Sequence, residues 1–128
     1  MAQPLLLTYN LKNGASAALY SICQSLGIRI REVDPREYGL PIGALAGIPI
    51  KGGASPSGTP APPFQDEMLV MCHMLSTELD AFLQAIRDQG LPRIPLKAVL
   101  TPVNVLWSST ALHDELAREH SEIQRRNR

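Results

Sequence analysis

The sequence predicts an α+β fold in which one β-α-β unit is followed by a second. An apolar run, Leu5–Tyr9, precedes a helical pattern over about residues 15–26 and a second strand-like run over residues 28–34. The same order then recurs, with a strand pattern at Met68–Cys72, a helical pattern at 77–89 and a strand pattern at 96–101. Such a repeat defines an architecture and no chemistry, because one fold can host many unrelated functions.

Both predicted helices carry an apolar stripe on one side. Apolar residues recur at the i, i+3, i+4 and i+7 spacing of an amphipathic helix. In the first helix these residues are Ala15, Ala18, Leu19, Ile22 and Leu26, and in the second they are Leu79, Phe82, Leu83 and Ile86. Gly27 and Gly90 follow the two stripes, and glycine is the usual residue just after a helix end.

The composition of the four strands predicts which are central. Leu5–Tyr9 and Met68–Cys72 are almost wholly apolar, so both of their faces should be covered. Residues 28–31 alternate apolar and charged, and residues 96–101 are flanked by prolines, so these two strands should be edges. The ferredoxin-like sheet, with strand order 4-1-3-2, meets this requirement. A four-stranded parallel α/β sheet is the alternative.

Two further segments need places in this fold. Residues 35–47 are apolar enough to pack, and residues 108–124 have the pattern of a third helix with Ser108 as its N-cap. A bare ferredoxin-like sheet leaves one face open, whereas the predicted central strands are apolar on both faces. We therefore expect these extra helices, or a second subunit, to cover that face.

The length of 128 residues predicts a single domain, residues 1–128. Residues 51–63 (KGGASPSGTPAPP) contain little that could be buried, so we expect a flexible loop there. The basic residues near the C-terminus predict a solvated tail over residues 121–128.

The bulk composition argues against several classes of function. The formal net charge is zero, whereas nucleic-acid binding requires a clustered basic surface, so no nucleic-acid partner is expected. No basic leader or long apolar run is present, so neither a signal peptide nor a membrane partner is expected. Cys23 and Cys72 are too few for a disulfide scaffold, and buried reduced thiols imply a cytoplasmic location.

No combination of residues in the sequence identifies catalytic or metal-binding chemistry. Cys72 and His73 are neighbours in a strand and should point to opposite faces, which favours a structural cysteine over an activated one. His113 and His120 share a helix face but should lie roughly 10 Å apart, too far for one metal ion. We therefore expect no metal site and no cofactor, and the catalytic residues, if any, are unknown.

Two weaker patterns point to binding. Lys97 lies within a short edge strand, where it either guards the edge against aggregation or serves as a ligand-anchoring or amine-chemistry lysine. Asn10 and Lys12 lie in the loop that leads into the first helix, where backbone amides and a lysine can hold an anion. A small anionic ligand is the partner that the second of these patterns suggests.

Several segments resemble a bacterial family of small uncharacterised proteins that is catalogued as a domain of unknown function. The resemblance is carried by EMLVMC at 67–72, by the leucine, aspartate and phenylalanine at 79–83, and by IPLKAVLTP at 94–102, of which residues 95–102 are the most specific part. The stretch YGLPIGALAG at 38–47 is similar to the family's first half. The family implies a bacterial origin and no assigned activity. It marks four positions as worth testing: Lys97, Thr101, Asn104 and Trp107.

The leading hypothesis is a non-enzymatic binding or regulatory module that forms a homo-oligomer, most simply a homodimer. The hypothesis is based on two observations: the sheet is expected to have more apolar surface than the chain covers, and no combination of catalytic residues is present. The alternative is a small enzyme that uses Lys97 with Thr101 and Asn104 in a pocket. That alternative requires Lys97 to be partly buried.

Overall fold

A four-stranded mixed sheet with helices on both faces forms the fold. The computed structural model describes residues 3–11, 13–48, 64–90, 94 and 96–126. The expected flexible loop at 51–63 and Lys12 lie outside these residues. The elements are β1 (Leu5–Tyr9), α1 (Asn13–Leu26), β2 (Arg29–Glu32), a 3-10 turn (Pro35–Glu37), α2 (Ile42–Leu45), β3 (Met68–Cys72), α3 (Ser76–Asp88), β4 (Leu96–Val99) and α4 (Ser109–Arg126).

The strand order is β2-β1-β3-β4. β1 pairs with β2 in parallel, and β3 pairs with β4 in parallel. The two halves meet where β1 and β3 pair antiparallel, with Leu5 opposite Cys72 and Tyr9 opposite Met68. The α+β class is therefore confirmed, as are the central positions of β1 and β3 and the edge positions of β2 and β4.

The predicted strand order 4-1-3-2 is wrong, because each edge strand lies beside its own partner. β2 borders β1, to which α1 connects it, and β4 borders β3, to which α3 connects it. The apolar pattern identifies the two central strands. It does not show which edge strand lies beside which central strand, because the pattern is the same for either arrangement. The alternative of an all-parallel sheet is also wrong, because β1 and β3 are antiparallel.

The helices α1 and α3 cover one face of the sheet. Alternate residues of the central strands point to this side, among them Leu6, Leu69 and Met71. They pack against Leu19 of α1 and Phe82 of α3, both of which are fully buried. Each β-α-β unit therefore contributes one helix to this layer.

The two extra segments cover the opposite face, as the sequence predicts. Leu7, Tyr9 and Val70 point to this side, where Ile42 of α2 and Leu112 of α4 pack against them. The chain thus covers both faces of its own sheet, without a second subunit over the apolar centre.

The helix ends follow the local sequence signals. Gly27 and Gly90 follow α1 and α3 with φ angles of +73° and +64°, a backbone conformation that suits glycine. The hydroxyl of Ser108 accepts a hydrogen bond of 3.1 Å from the Ala111 N–H at the start of α4. Residues 121–126 of the expected tail are the last turns of α4, while residues 127 and 128 lie outside the described chain.

Candidate functional site

Lys97 is half-buried in the edge strand β4, on the side of the sheet that α1 and α3 cover. Its Nζ donates a hydrogen bond of 2.5 Å to the carbonyl oxygen of Ile94. The side chain lines a cavity of about 360 Å³ together with Arg87 of α3. The partial burial that the enzyme hypothesis requires of Lys97 is therefore present.

The rest of this cavity, hereafter the Lys97 cavity, is apolar. Leu19 and Leu69 form its deep side and are fully buried. Its remaining walls are three partly or fully buried aliphatic side chains, those of Leu83, Ile86 and Ile94. No described residue in its lining is acidic, so the fixed charges there are the two cations, Arg87 and Lys97.

Thr101 and Asn104 bond to each other in the turn that follows β4. Thr101 Oγ1 accepts hydrogen bonds from the backbone N–H of Val103 and of Asn104, at 3.2 and 3.1 Å. In return Asn104 Oδ1 accepts one of 2.9 Å from the Thr101 N–H. Neither residue is among those that line the Lys97 cavity. Their polar atoms hold the turn closed.

Asn104 also satisfies a backbone group at the edge of the sheet. The Leu100 N–H donates to Met71 of β3 at 2.9 Å, so it points into the sheet. In a trans peptide the carbonyl points the opposite way, so the Val99 carbonyl faces the outer edge of β4. Asn104 Nδ2 donates to that carbonyl at 3.0 Å. Asn104 therefore shields an edge that another strand could otherwise extend.

Asn10 fastens the chain at the opposite end of the sheet. Its φ angle is +58°, and its Nδ2 donates to the carbonyls of Phe64 and Asp66 at 2.8 and 3.1 Å. Because β1 runs antiparallel to β3, Asn10 lies at the end where β4 begins, whereas Thr101 follows the end of β4. The candidate residues from the sequence therefore do not form one site.

Trp107 is half-buried and packs against the core on the α2 and α4 side of the sheet. Its carbonyl accepts a hydrogen bond of 2.8 Å from the Ile42 N–H, which ties α2 to the start of α4. This side of the sheet is opposite to the Lys97 cavity. The position of Trp107 indicates a packing role.

Both cysteines are buried thiols with raised pKa values. Burial raises the pKa of Cys23 and of Cys72 to about 12 in each case. His73 does not activate its neighbour, because its Nε2 lies 3.0 Å from the Ala46 carbonyl oxygen. The structural interpretation of Cys72 is therefore supported.

An aromatic cluster at the end of β1 is not predicted by any pattern in the sequence. Tyr9, Tyr38 and Phe64 pack together, and the ring of His113 stacks on Phe64 with centroids 4.1 Å apart. His113 Nε2 lies 2.8 Å from a carboxylate oxygen of Asp66. These residues are far apart in the chain, so no local pattern indicates the contact. Within the described chain, no group of three or more metal-binding side chains is placed to hold an ion.

The surface of α1 is a second feature that the sequence interpretation missed. The helix has no charged residue along its whole length, Asn13–Leu26. Its solvent-facing positions include Tyr20 and Leu26, which are 52% and 39% exposed. A groove of about 420 Å³ runs beside Leu26 between α1 and α3. The signal that the sequence contains for this surface is the absence of charged residues over the stretch.

The comparison with protein families concerns the second half of the fold. Residues 67–123 match the family model described as Domain of unknown function (DUF3783). The DUF3783 segment comprises β3, α3, β4 and most of α4, so it contains Lys97, Thr101, Asn104 and Trp107 but neither Asn10 nor α1. The resemblance to a domain of unknown function is confirmed. Neither a curated protein nor a solved structure matches the chain significantly. In the described parts of the chain, no helix is both long and apolar enough to cross a membrane.

Proposed function

We propose that this protein is a self-associating binding module whose α1 surface packs against α1 of a second copy. The observation that carries the proposal is the solvent-facing side of α1, which presents no charge at all. Protein interfaces are depleted in charged residues at their centres and enriched in tyrosine. A solvent-facing helix side normally carries charged and polar residues instead.

The contrast with α4 supports this reading of α1. The outer side of α4 carries many charged residues, and Arg118 pairs there with Glu115 and Glu122. On α1 the exposed positions between Ala17 and Leu26 are occupied only by uncharged side chains. Two copies of α1 can therefore approach each other without electrostatic repulsion and without desolvating a charge.

The shape of the surface suits a symmetric contact. Small side chains line the groove beside α1, among them Ala18, Ser21 and Ser25 of α1 and Ala85 of α3. Tyr20 projects from the same helix and is 52% exposed. In a twofold dimer the same surface of each copy is buried, so the small side chains of one α1 allow α1 of the other copy to approach closely.

Light scattering coupled to size exclusion tests the proposal. The wild-type protein should have the mass of a dimer at high micromolar concentration. Tyr20→Glu should convert it to a monomer, because the dimer would bury two unpaired carboxylates. Val103→Glu is the matched control, since Val103 is 69% exposed in the turn after β4, away from α1.

Each result decides between surfaces. A dimer that survives Val103→Glu but not Tyr20→Glu supports the α1 contact. A monomeric wild-type protein refutes self-association altogether. A dimer that is broken by Val103→Glu and not by Tyr20→Glu would move the contact to the edge of β4. Circular dichroism of each variant shows that the monomers remain folded.

The alternative of a small enzyme has less support from the geometry. Thr101 and Asn104 use their side-chain oxygens to accept backbone hydrogen bonds within their own turn. Lys97 lines a cavity to which neither contributes. A cytoplasmic setting is part of our proposal, because both cysteines are buried and unpaired.

A further inference from the structure

We infer that the outer edge of β2 binds an extended, acidic peptide segment of another protein as an additional strand of the sheet. The inference goes beyond the proposed dimer, because it concerns a different surface and a different partner. It rests on the backbone groups of this edge, on the pocket beside it and on the charge pattern of the strand. Peptides that bind in this way gain affinity from main-chain hydrogen bonds and specificity from pockets for alternate side chains.

The backbone of β2 leaves two residues available for pairing at its outer edge. The N–H groups of Arg29 and Val33 donate to backbone carbonyls on the side of β1, at 2.9 Å each. The N–H and C=O groups of the alternate residues, Ile30 and Glu32, therefore point away from β1. Neither of these two residues makes another backbone hydrogen bond within the described chain. Such a row of donors and acceptors is a template for a further strand.

The other edge of the sheet is less open to a partner of this kind. There the side chain of Asn104 donates to the outward-facing Val99 carbonyl at 3.0 Å. Among the described residues, no side chain donates to the outward-facing carbonyls of β2 in this way. The chain thus shields the edge of β4 and leaves the edge of β2 accessible to an added strand.

A pocket of about 250 Å³ lies beside the β2 edge, on the face of the sheet that α2 covers. Arg29 and Arg31 line it from β2, and Leu5, Leu45 and Ala46 provide its apolar wall. A side chain from an added strand can enter this pocket. A glutamate suits it, because its methylene groups can pack on the apolar wall while its carboxylate reaches an arginine.

The two arginines differ in their surroundings. Arg31 is held in place, since its guanidinium donates to the Leu45 carbonyl at 2.9 Å and pairs with Glu37 at 2.6 Å. Arg29 is exposed and forms no ion pair with another described residue. A carboxylate opposite Arg29 on an antiparallel strand forms a cross-strand pair of opposite charge, which stabilises the pairing.

The same charges disfavour a second copy of β2 as the partner. Two antiparallel edges pair only where outward-facing residues lie opposite each other, which are Ile30 and Glu32 in each copy. Pairing Ile30 with Ile30 sets Arg29 opposite Arg31, and pairing Ile30 with Glu32 sets Arg31 opposite Arg31. The remaining register sets Glu32 opposite Glu32. Like charges directly opposite each other destabilise a sheet, so the charges favour a partner strand with acids at these positions.

Hydrogen exchange followed by NMR on the full chain tests the inference with the capped peptide TEVET. In an antiparallel register its two glutamates lie opposite Arg29 and Arg31, and its valine lies opposite Ile30. The amides of Ile30 and Glu32 should exchange at least tenfold more slowly with saturating peptide, because both then donate to the added strand. The Arg29 amide, which already donates on the side of β1, is the internal reference and should change far less.

Modified peptides separate backbone pairing from simple charge attraction. N-methylation of the valine removes an N–H that faces β2, so it should abolish the protection. N-methylation of the preceding glutamate alters an N–H that faces away from β2, so it should preserve the protection. The peptide TKVKT should bind about tenfold more weakly than TEVET, since it sets lysines opposite arginines.

Arg29→Glu reverses one charge beside the pocket. This variant should reverse the preference, so that TKVKT binds more tightly than TEVET. Arg125→Glu makes the same change of charge at an exposed position near the end of α4, and it should keep the preference of the wild type. The melting temperature of each variant shows that it is folded.

The inference is overturned if TEVET leaves the exchange of Ile30 and Glu32 unchanged, or if both amides are already protected in the free protein. It is equally overturned if the two N-methylated peptides act alike, or if Arg29→Glu and Arg125→Glu have the same effect. None of these results bears on the α1 contact, which is measured by mass.

Discussion

At the residue scale, Asn104 holds three backbone groups of one turn in place. Its side chain accepts from the Thr101 N–H and donates to the Val99 carbonyl, while its own N–H donates to Thr101 Oγ1. The residue is only 8% exposed, so water does not readily replace these partners. Its role in the structure is to close the turn and to shield the edge of β4.

Replacing Asn104 should therefore cost stability. We expect Asn104→Ala to lower the free energy of unfolding by about 1–3 kcal/mol, the usual cost of leaving buried hydrogen-bonding groups without partners. Urea unfolding measures the change. Val103→Ala is the control at the neighbouring exposed position and should change stability by less than about 0.5 kcal/mol. An Asn104→Ala protein as stable as the wild type would contradict the structural role.

The buried thiols make a second prediction at this scale. Because burial raises the pKa of Cys23 and Cys72 from 9.0 to about 12, the thiolate is strongly disfavoured in the folded protein at pH 8. A thiol-specific chromogenic reagent should label neither cysteine in the native state and both in urea. Rapid labelling of native protein would show that the thiols are accessible.

The same shifts set a direction for pH dependence. Folding keeps both thiols protonated, so their contribution to stability is complete below the ordinary pKa of 9.0 and is lost as the pH rises toward about 12. Unfolding in urea should therefore become easier across this alkaline range. Cys23→Ala should reduce the slope, since it removes one of the groups whose pKa folding raises.

At the scale of the elements, the strands and helices were largely readable from the sequence. β1 and β3 have the predicted bounds, because an apolar run of five residues between polar ones leaves little choice. Glycines at 27 and 90 mark two helix ends, since each adopts a positive φ angle. β2 and β4 are shorter than predicted, because each pairs with its central neighbour over only four residues.

The arrangement of those elements was less readable. Composition distinguishes a central strand from an edge strand, but it carries no information about which edge strand borders which centre. The site residues were harder to predict from the sequence than the arrangement of the elements. A lysine inside a strand is unusual, so the sequence marks Lys97 as a candidate. An arginine on a helix surface is common, so the sequence does not mark Arg87. The stack of Phe64 on His113 joins segments that only tertiary structure brings together.

At the scale of the whole molecule, the sheet is already covered on both faces by the chain's own helices. No open apolar face of the sheet is therefore left for a second copy to cover. The uncharged outer side of α1 is the surface that we propose a second copy covers.

Cysteine cross-linking tests the α1 contact most directly. The native thiols are buried, so a new surface cysteine is the group expected to react. Single substitutions Ala17→Cys, Ser21→Cys and Ser25→Cys place a thiol along the exposed side of α1, and Ser121→Cys places one on the exposed side of α4 as the control. Under mild oxidation, at least one α1 variant should form a disulfide-linked dimer rapidly and in high yield. If all three α1 variants cross-link no faster than Ser121→Cys, α1 does not face α1 of a second copy and the proposal fails.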